Sequence, residues 1–249
     1  MAGLKLHKVT KRCTTGLATV SDFSIDIEDR EFTVFAGPSG CGKSTILRMI
    51  AGLEDISEGE LYIDDKLMNG LTPKERDIAM VFQSCAIYPD CSVYENLSHG
   101  LKLRKVPTEE IEKRISEAAG LLSLAELLDS KPNELTDCQK QLISLGRAIV
   151  REPKVLLMDE PFSNLNQELR GQMRTEIAKL HKHLQITFVY VTNDSAEAMA
   201  LGTRIVVIND GTIQQTGSPD DLYNNPKNMF VASFIGSPHL NKFQKFDTV

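Results

Sequence analysis

A glycine-rich segment between a strand-like run and a helix-like run constrains this chain more than any other feature of its sequence. Residues 37–44 read GPSGCGKS and fit the pattern G-x-x-x-x-G-K-S, with the apolar run EFTVFAG at their start and TILRMIAG after them. In such a pattern, glycines let backbone N–H groups curl around phosphate oxygens. The pattern predicts a phosphate-binding loop, and the alternative is a glycine-rich turn that only opens a helix.

The candidate phosphate-binding residues are consecutive. They are Gly37, Pro38, Ser39, Gly40, Cys41, Gly42, Lys43, Ser44 and Thr45. Among them, Lys43 would reach the β and γ oxygens, and the Ser44 hydroxyl would coordinate Mg²⁺. Cys41 is interpreted as a small filler whose backbone matters more than its thiol.

Short apolar runs rich in Val, Ile and Phe alternate with longer segments of helical period, which indicates an α/β domain with a largely parallel sheet. Apolar residues repeat at helical spacing from residue 167 to residue 184 and form one core-facing stripe. Residues 93–151 are mostly helical in pattern. The predicted strands are EFTVFAG, IAMVFQ, KVLLMDE, ITFVYVT and RIVVIND.

Two acidic residues follow the apolar run KVLLM. This strand would bring Asp159 and Glu160 to its carboxyl end, with Asp159 near a metal and Glu160 where it can polarise a water. Such a pair alone is usually a solvated strand end. Together with the glycine-rich loop, it indicates a nucleoside triphosphatase of the P-loop type.

The overall composition is that of an ordinary globular protein, with 41% hydrophobic and 25% charged residues. A formal net charge of −6 argues against nucleic-acid binding, because no basic stripe is present. The five cysteines form no C-x-x-C pair, which favours a reducing cytoplasm. No secretory leader opens the chain and no apolar run is long enough to span a bilayer, so membrane association would require a partner. His181 and His183, at a polar helix end, are expected to be solvated.

The segment LTDCQ, residues 135–139, has the pattern of a helix start. Thr136 and Gln139 fit a capping box, and Asp137 places a carboxylate in the first turn. The helix is therefore predicted to satisfy its own N-terminus. The alternative is that Asp137 turns aside and a phosphate binds through Thr136.

The order of these motifs resembles the ATP-binding subunit of ABC transporters. GPSGCGKST is followed by MVFQ, then by LGRAIVREPKVLLMDEPFSNL and VYVTND, and the tail DGTIQQTGSPDDLYNNPKNMFVASFIGSP is similar to that of the sugar-importer branch. The resemblance implies an α/β P-loop NTPase of ABC type, with a mainly parallel core sheet, an antiparallel β subdomain and a helical subdomain at about residues 84–152. It places the ATP-binding domain at residues 1–238 and a short tail at 239–249, without the regulatory domain common in that branch.

The same resemblance implies cofactors, partners and roles. ATP and Mg²⁺ would be shared between this chain and a second ATP-binding subunit, in a homodimer or heterodimer that drives a transmembrane permease from the cytoplasmic face of the membrane. Ser44, Gln83 and Asp159 would hold the metal, and Gln83 would also link it to the helical subdomain. Thr136 and Gln139 would face the nucleotide of the other subunit. The region SCAIYPDCSVYENL would face the permease.

One segment and three single residues depart from the family pattern. LTDCQ stands where LSGGQ is usual, Asn193 replaces the histidine of V-T-H-D, Cys13 falls where an aromatic residue usually stacks on adenine, and Asn166 replaces an aspartate. Because asparagine carries no proton near neutral pH, Asn193 is a degenerate catalytic position beside the intact Glu160. These departures predict slow or absent hydrolysis. A working importer ATPase and an inactive regulatory or assembly subunit remain as alternatives.

Overall fold

The computed structural model describes residues 3–12 and 16–236, which form two sheets and eight α-helices. In chain order the elements are β1 (Leu4–Arg12), β2 (Ala18–Ile27), β3 (Phe32–Ala36), α1 (Lys43–Ala51), β4 (Glu58–Ile63), β5 (Lys66–Leu67), β6 (Ile78–Val81), α2 (Val93–Leu103), α3 (Thr108–Leu121), α4 (Asp137–Ile149), β7 (Val155–Asp159), α5 (Gln167–Leu184), β8 (Thr187–Thr192), α6 (Ser195–Leu201), β9 (Arg204–Asn209), β10 (Thr212–Gly217), α7 (Pro219–Asn224) and α8 (Met229–Ile235). Cys13 and His239 lie outside the described residues.

The larger sheet has the strand order β10-β9-β3-β8-β7-β6. All its neighbouring strands are parallel except the β9–β10 pair. Strands β3, β7 and β8 are buried along their whole length, as expected for parallel strands covered on both faces. The prediction of a mainly parallel α/β sheet is confirmed, and each of the five predicted strands is present.

The smaller sheet is antiparallel, with the order β2-β1-β4-β5. Helix α1 packs between the two sheets, since its buried Ile46 and Ile50 share one apolar cluster with Phe35 of β3 and Leu6 of β1. This cluster fixes α1 against one face of the larger sheet. The antiparallel β subdomain implied by the resemblance is therefore present.

Helices α2, α3 and α4 account for the helical pattern after residue 93. Helix α3 begins at Thr108, directly after Pro107. Helices α2 and α4 pack closely, because a Cβ at Gly146 would lie 2.7 Å from Leu97 Cδ2. Among the described residues, no helix has the length and apolarity needed to cross a membrane.

Helix α5 has the bounds that its apolar stripe predicts, and Met173, Ile177 and Leu180 of that stripe are buried. The expectation that His181 is solvated is wrong. Its ring packs 5.1 Å from the Phe32 ring and 4.9 Å from the Phe188 ring. Burial lowers the pKa of His181, although its contact with the Arg30 carbonyl opposes this. The cause is that the last turn of α5 passes over the start of β3 and β8.

Candidate nucleotide site

The carboxyl ends of three adjacent parallel strands form the candidate site. Strand β3 leads into the glycine-rich loop, β7 ends at Asp159, and β8 lies between them in the sheet. Ala36 pairs with Thr192, and Asp159 pairs with Val191, so the three strands end at the same level. Ligands of open α/β sheets bind at this edge.

Two glycines of the loop are required by close backbone approaches. A Cβ at Gly37 would lie 2.1 Å from the carbonyl oxygen of Ile208. Gly42 has a φ of +98°, and a Cβ there would lie 2.8 Å from the carbonyl oxygen of Thr19. The loop is thus held between β9 and the smaller sheet in a conformation that a side chain would disrupt.

Lys43 and Cys41 are buried inside the loop. Lys43 Nζ donates to the carbonyl oxygens of Gly37 at 2.9 Å and Pro38 at 2.8 Å. Cys41 is 5% exposed, and burial raises the pKa of its thiol while Lys43 opposes that rise. Because Lys43 rests on two carbonyl groups, its ammonium group is directed into the curve of the loop.

The N-terminus of α1 has no side-chain cap. Gly42 occupies the N-cap position, and it offers no side chain to the first amide groups of the helix. Uncapped amides and the positive end of the helix dipole together suit an anion. Ser39 and Gly40 of the loop are exposed, and Ser44 and Thr45 of the first turn are half-buried, so the curve of the loop is open to solvent.

Ser44 and Asp159 meet directly. Ser44 Oγ donates to Asp159 Oδ1 at 2.6 Å, and Asp159 is 6% exposed. A hydroxyl and a carboxylate are the hard oxygen ligands that Mg²⁺ prefers. Residues 3–12 and 16–236 contain no group of three His, Cys, Asp or Glu arranged for a metal, so this pair would share the ion with phosphate and water.

Glu160 stands one residue beyond β7 with a φ of 44°. This left-handed conformation is strained and uncommon for a residue with a side chain, and such strained residues often occur at functional sites. The Glu160 N–H donates to the Val191 carbonyl at 3.0 Å. Burial raises the pKa of Glu160; Lys43 lowers it, whereas Asp159 and Glu197 raise it further. A carboxyl group with a raised pKa is suited to accept a proton.

Asn193 follows β8 and reaches the loop. Its Nδ2 donates to Ser39 Oγ at 3.2 Å, which joins two residues 154 positions apart. Both side chains are exposed, so a ligand in the loop could contact this pair.

Gln83 lies outside this cluster of contacts. It is exposed, and in the described part of the chain its side chain makes no hydrogen bond with Ser44 or Asp159. Its carbonyl oxygen accepts a long hydrogen bond of 3.5 Å from Asn164 Nδ2. Asn164 was not among the predicted site residues, although it lies in the segment PFSNL that follows Glu160. A metal-binding role for Gln83 stays a prediction.

The comparison with protein families decides which family has this arrangement. The family described as ABC transporter matches residues 20–163, which include the glycine-rich loop, Asp159 and Glu160. The chain belongs to the ABC transporter family. It is 56% identical to the oligosaccharides import ATP-binding protein MsmX of Bacillus subtilis, over 98% of this chain and 67% of MsmX.

Two solved structures share the ABC ATPase fold. One is cbiO1 of Clostridium perfringens, part of the ABC transporter complex cbiONQ, with a TM-score of 0.83 and 27% identity over 88% of this chain and 89% of cbiO1. The other is the dimeric cassette MJ0796 bound to ADP and Pi, with a TM-score of 0.74 and 29% identity over 87% of this chain and 98% of that chain. The chain is thus an ABC-type ATP-binding domain.

The segment LTDCQ, which stands where the family has its signature sequence LSGGQ, lies at the start of α4. There the helix caps its own N-terminus. Gln139 N donates to Thr136 Oγ1 at 3.3 Å, and Thr136 N donates to Gln139 Oε1 at 2.9 Å. The predicted capping box is confirmed. Asp137 is exposed and paired with Lys140 at 3.1 Å.

At the start of α5, the Asn166 side chain caps the helix by accepting a hydrogen bond from Leu169 N at 3.0 Å. Contact of Thr136 and Gln139 with a nucleotide stays a prediction.

A groove of ≈ 240 Å³ opens beside the end of β6, between α2 and α4. Aromatic and basic side chains line it, and the Arg147 guanidinium lies 4.5 Å from the centre of the Tyr88 ring. The His99 ring packs 4.6 Å from the same tyrosine. This groove includes part of the segment SCAIYPDCSVYENL, which the family resemblance implies would face the permease.

Proposed function

We propose that this chain is the ATP-binding subunit of an importer for carbohydrate-type solutes, and that it binds Mg-ATP but hydrolyses it slowly. The observation that carries nucleotide binding is the 2.6 Å hydrogen bond between Ser44 and Asp159, formed beside an uncapped helix N-terminus. The solute class rests on the similarity to MsmX, an oligosaccharide import protein, and on the tail of the chain.

Each residue of the site would perform a limited task. Lys43 would exchange its two carbonyl partners for phosphate oxygens, and the α1 amides would donate to the same phosphates. Ser44 and Asp159 would hold Mg²⁺, which neutralises phosphate charge when bound. Glu160 would accept a proton from the attacking water, because burial raises the pKa of its carboxyl group and so strengthens the carboxylate as a base.

Asp137 is the first reason to expect slow hydrolysis. In the ABC arrangement, the start of α4 faces the γ-phosphate bound by the other subunit, and Asp137 is exposed there. Two unit charges of like sign about 4 Å apart repel by about 4 kcal/mol at an effective dielectric constant of about 20. The helix dipole stabilises an anion at this end by only about 0.3–1 kcal/mol. Lys140 offsets part of this repulsion, but its ion pair with Asp137 is exposed and therefore weak.

Asn193 is the second reason. Its amide reaches Ser39 and could donate to a phosphate, but it cannot carry a proton or a positive charge at neutral pH. ATP binding should therefore survive better than turnover. Cys13, which would weaken adenine stacking, lies outside the described residues.

The partners follow from the same assignment. A second ATP-binding subunit would cover the α1 and α4 N-termini. The permease would bind in the groove beside Tyr88 and Arg147, which would place this chain on the cytoplasmic face of the membrane. No role with nucleic acid is proposed.

A repair experiment tests this proposal. The variant Asp137→Gly/Cys138→Gly/Asn193→His restores the family residues at the signature and switch positions. We expect its phosphate release at saturating Mg-ATP to exceed that of the wild type by at least about tenfold, which corresponds to about 1.4 kcal/mol of transition-state stabilisation. The matched control is Asn133→Gly/Ser233→His, at two exposed positions away from the loop. Equal turnover in the wild type and the repaired variant would overturn the proposed cause of slow hydrolysis.

An inactive regulatory or assembly subunit is the second candidate. The closed capping box at Thr136 favours it, because two amides at the start of α4, those of Thr136 and Gln139, are already hydrogen-bonded. Retained ATP binding, undetectable turnover and no co-purification with a permease would support this candidate over the first.

A further inference from the structure

A buried carboxylate lies behind the site and has no part in the roles proposed above. Glu197 of α6 is 3% exposed. Its Oε2 accepts two hydrogen bonds, from Tyr190 Oη at 2.9 Å and from Thr192 Oγ1 at 2.7 Å. Burial of a carboxylate costs free energy even when the group is hydrogen-bonded, and an amide or apolar side chain would cost less. A carboxylate at this position therefore points to a task other than packing.

Both donors to Glu197 lie on β8, on either side of Val191. The Val191 carbonyl accepts the hydrogen bond from Glu160 N at 3.0 Å. Because Glu160 is held at a positive φ, its conformation depends on contacts of this kind. Glu197 thus braces the strand segment that holds the backbone of Glu160.

The end of β8 also supports the glycine-rich loop and Asn193. Thr192 pairs with Ala36, the last residue before the glycine-rich loop. Thr192 Oγ1 also accepts from Asp194 N at 3.0 Å, and Asn193 lies between these two residues. One carboxylate therefore restrains the strand end from which both Glu160 and Asn193 are positioned.

Charged groups lie on both sides of this strand end. Lys43, Asp159 and Glu197 face Glu160, and the two acids raise the pKa of Glu160 while the lysine lowers it. On the other side, Asp194 pairs with Arg170 at 3.4 Å. Burial and Glu197 both raise the pKa of Tyr190, so its hydroxyl stays a hydrogen-bond donor.

We infer that Glu197 is a positioning residue for ATP hydrolysis, acting through Glu160 and the Asn193 segment without touching the nucleotide. The inference rests on the proposed role of Glu160 as the base. Glu197 contributes a fixed geometry. Its hydrogen bonds from the hydroxyl groups of Tyr190 and Thr192 hold the β8 segment whose Val191 carbonyl accepts from Glu160 N.

The bracing is tested by amide hydrogen exchange in the full chain. Glu197→Ala removes the acceptor of both β8 hydroxyl groups, so we expect faster exchange at the Glu160 amide than in the wild type. Glu197→Gln keeps an oxygen that can accept from Tyr190 and Thr192, so we expect it to restore exchange close to the wild-type rate. Glu168→Ala, at an exposed residue of α5, should leave that rate unchanged. Equal exchange at the Glu160 amide in the wild type and Glu197→Ala overturns the inference.

A second variant keeps the test decisive if Glu197→Ala does not fold. Tyr190→Phe removes one of the two hydrogen bonds to Glu197 and leaves the other in place. We expect faster hydrogen exchange at the Glu160 amide than in the wild type, and equal exchange there overturns the inference. Neither measurement needs turnover. Failure of the proposed base is seen separately in the repaired variant Asp137→Gly/Cys138→Gly/Asn193→His, as equal phosphate release with and without Glu160→Gln.

Discussion

Ser44 Oγ lies 2.6 Å from Asp159 Oδ1 and joins the first turn of α1 to the end of β7, 115 positions further along the chain. Removal of the hydroxyl in Ser44→Ala deprives Asp159 of this partner and the proposed metal of one oxygen. Hydrogen bonds to charged groups contribute about 1.5–3 kcal/mol, so we expect the Mg-dependent part of ATP affinity to fall about 10- to 100-fold. Titration calorimetry with Mg²⁺ and with a chelator measures this difference. Ser233→Ala, on α8, is the control, and equal Mg-dependence in both variants would contradict the assignment.

Two glycines of the loop differ in what surrounds them. Gly42 and Gly40 have φ values of +98° and +80°, so alanine is strained at either position, but only at Gly42 would a Cβ approach a backbone atom, 2.8 Å from the Thr19 oxygen. Gly40 has no atom within 4 Å of such a Cβ. We expect Gly42→Ala to lower the urea midpoint and ATP affinity well below those of Gly40→Ala. Matching values for the two variants would mean that the approach to Thr19 has no energetic weight.

Because Thr136 caps α4, we expect its removal to lower the stability of the protein without weakening ATP binding. Thr136→Ala removes the acceptor of Gln139 N, and loss of such a cap costs about 1 kcal/mol. Denaturant unfolding measures this change, with Thr175→Ala on the exposed face of α5 as the control. If Thr136 instead bound a phosphate of the other subunit, Thr136→Ala would weaken ATP-dependent dimerisation while stability stayed near that of the wild type.

The raised pKa of Glu160 predicts that the stability of the folded protein depends on pH. Its pKa in the folded protein is raised, mainly by burial, above the ordinary glutamate value near about 4.3. Its favourable contribution is therefore complete below the ordinary value and is lost as pH rises through the raised pKa. Glu160→Gln cannot ionise, so we expect its Tm to rise relative to the wild type between acidic and neutral pH. A Tm difference between Glu160→Gln and the wild type that stays constant with pH would contradict a raised pKa for Glu160.

Patterns local in sequence predicted most of the fold. The strands on both sides of the site are continuous apolar runs because the larger sheet is covered on both faces. Helix α5 matched its stripe, yet His181, four positions after Ile177 of the same stripe, was misjudged as solvated. Its spacing could have indicated burial, but which aromatic residues it meets depends on how α5 crosses the sheet.

Contacts between distant segments could not be predicted in the same way. The hydrogen bond from Asn193 to Ser39 and the bracing of β8 by Glu197 both depend on the order of strands, which no local pattern contains. The capping box at Thr136 was predictable because all its atoms lie within four residues. The roles of the site residues in catalysis stay predictions.

The central claim is that the chain binds Mg-ATP and turns it over slowly. Binding and phosphate release should be measured on one sample of the wild type at saturating Mg-ATP, beside Glu160→Gln. The account predicts clear binding by both proteins, and wild-type phosphate release only slightly above that of Glu160→Gln. Turnover at least about tenfold above Glu160→Gln, a difference of about 1.4 kcal/mol or more in the barrier, would contradict slow hydrolysis and identify a fully working ATPase.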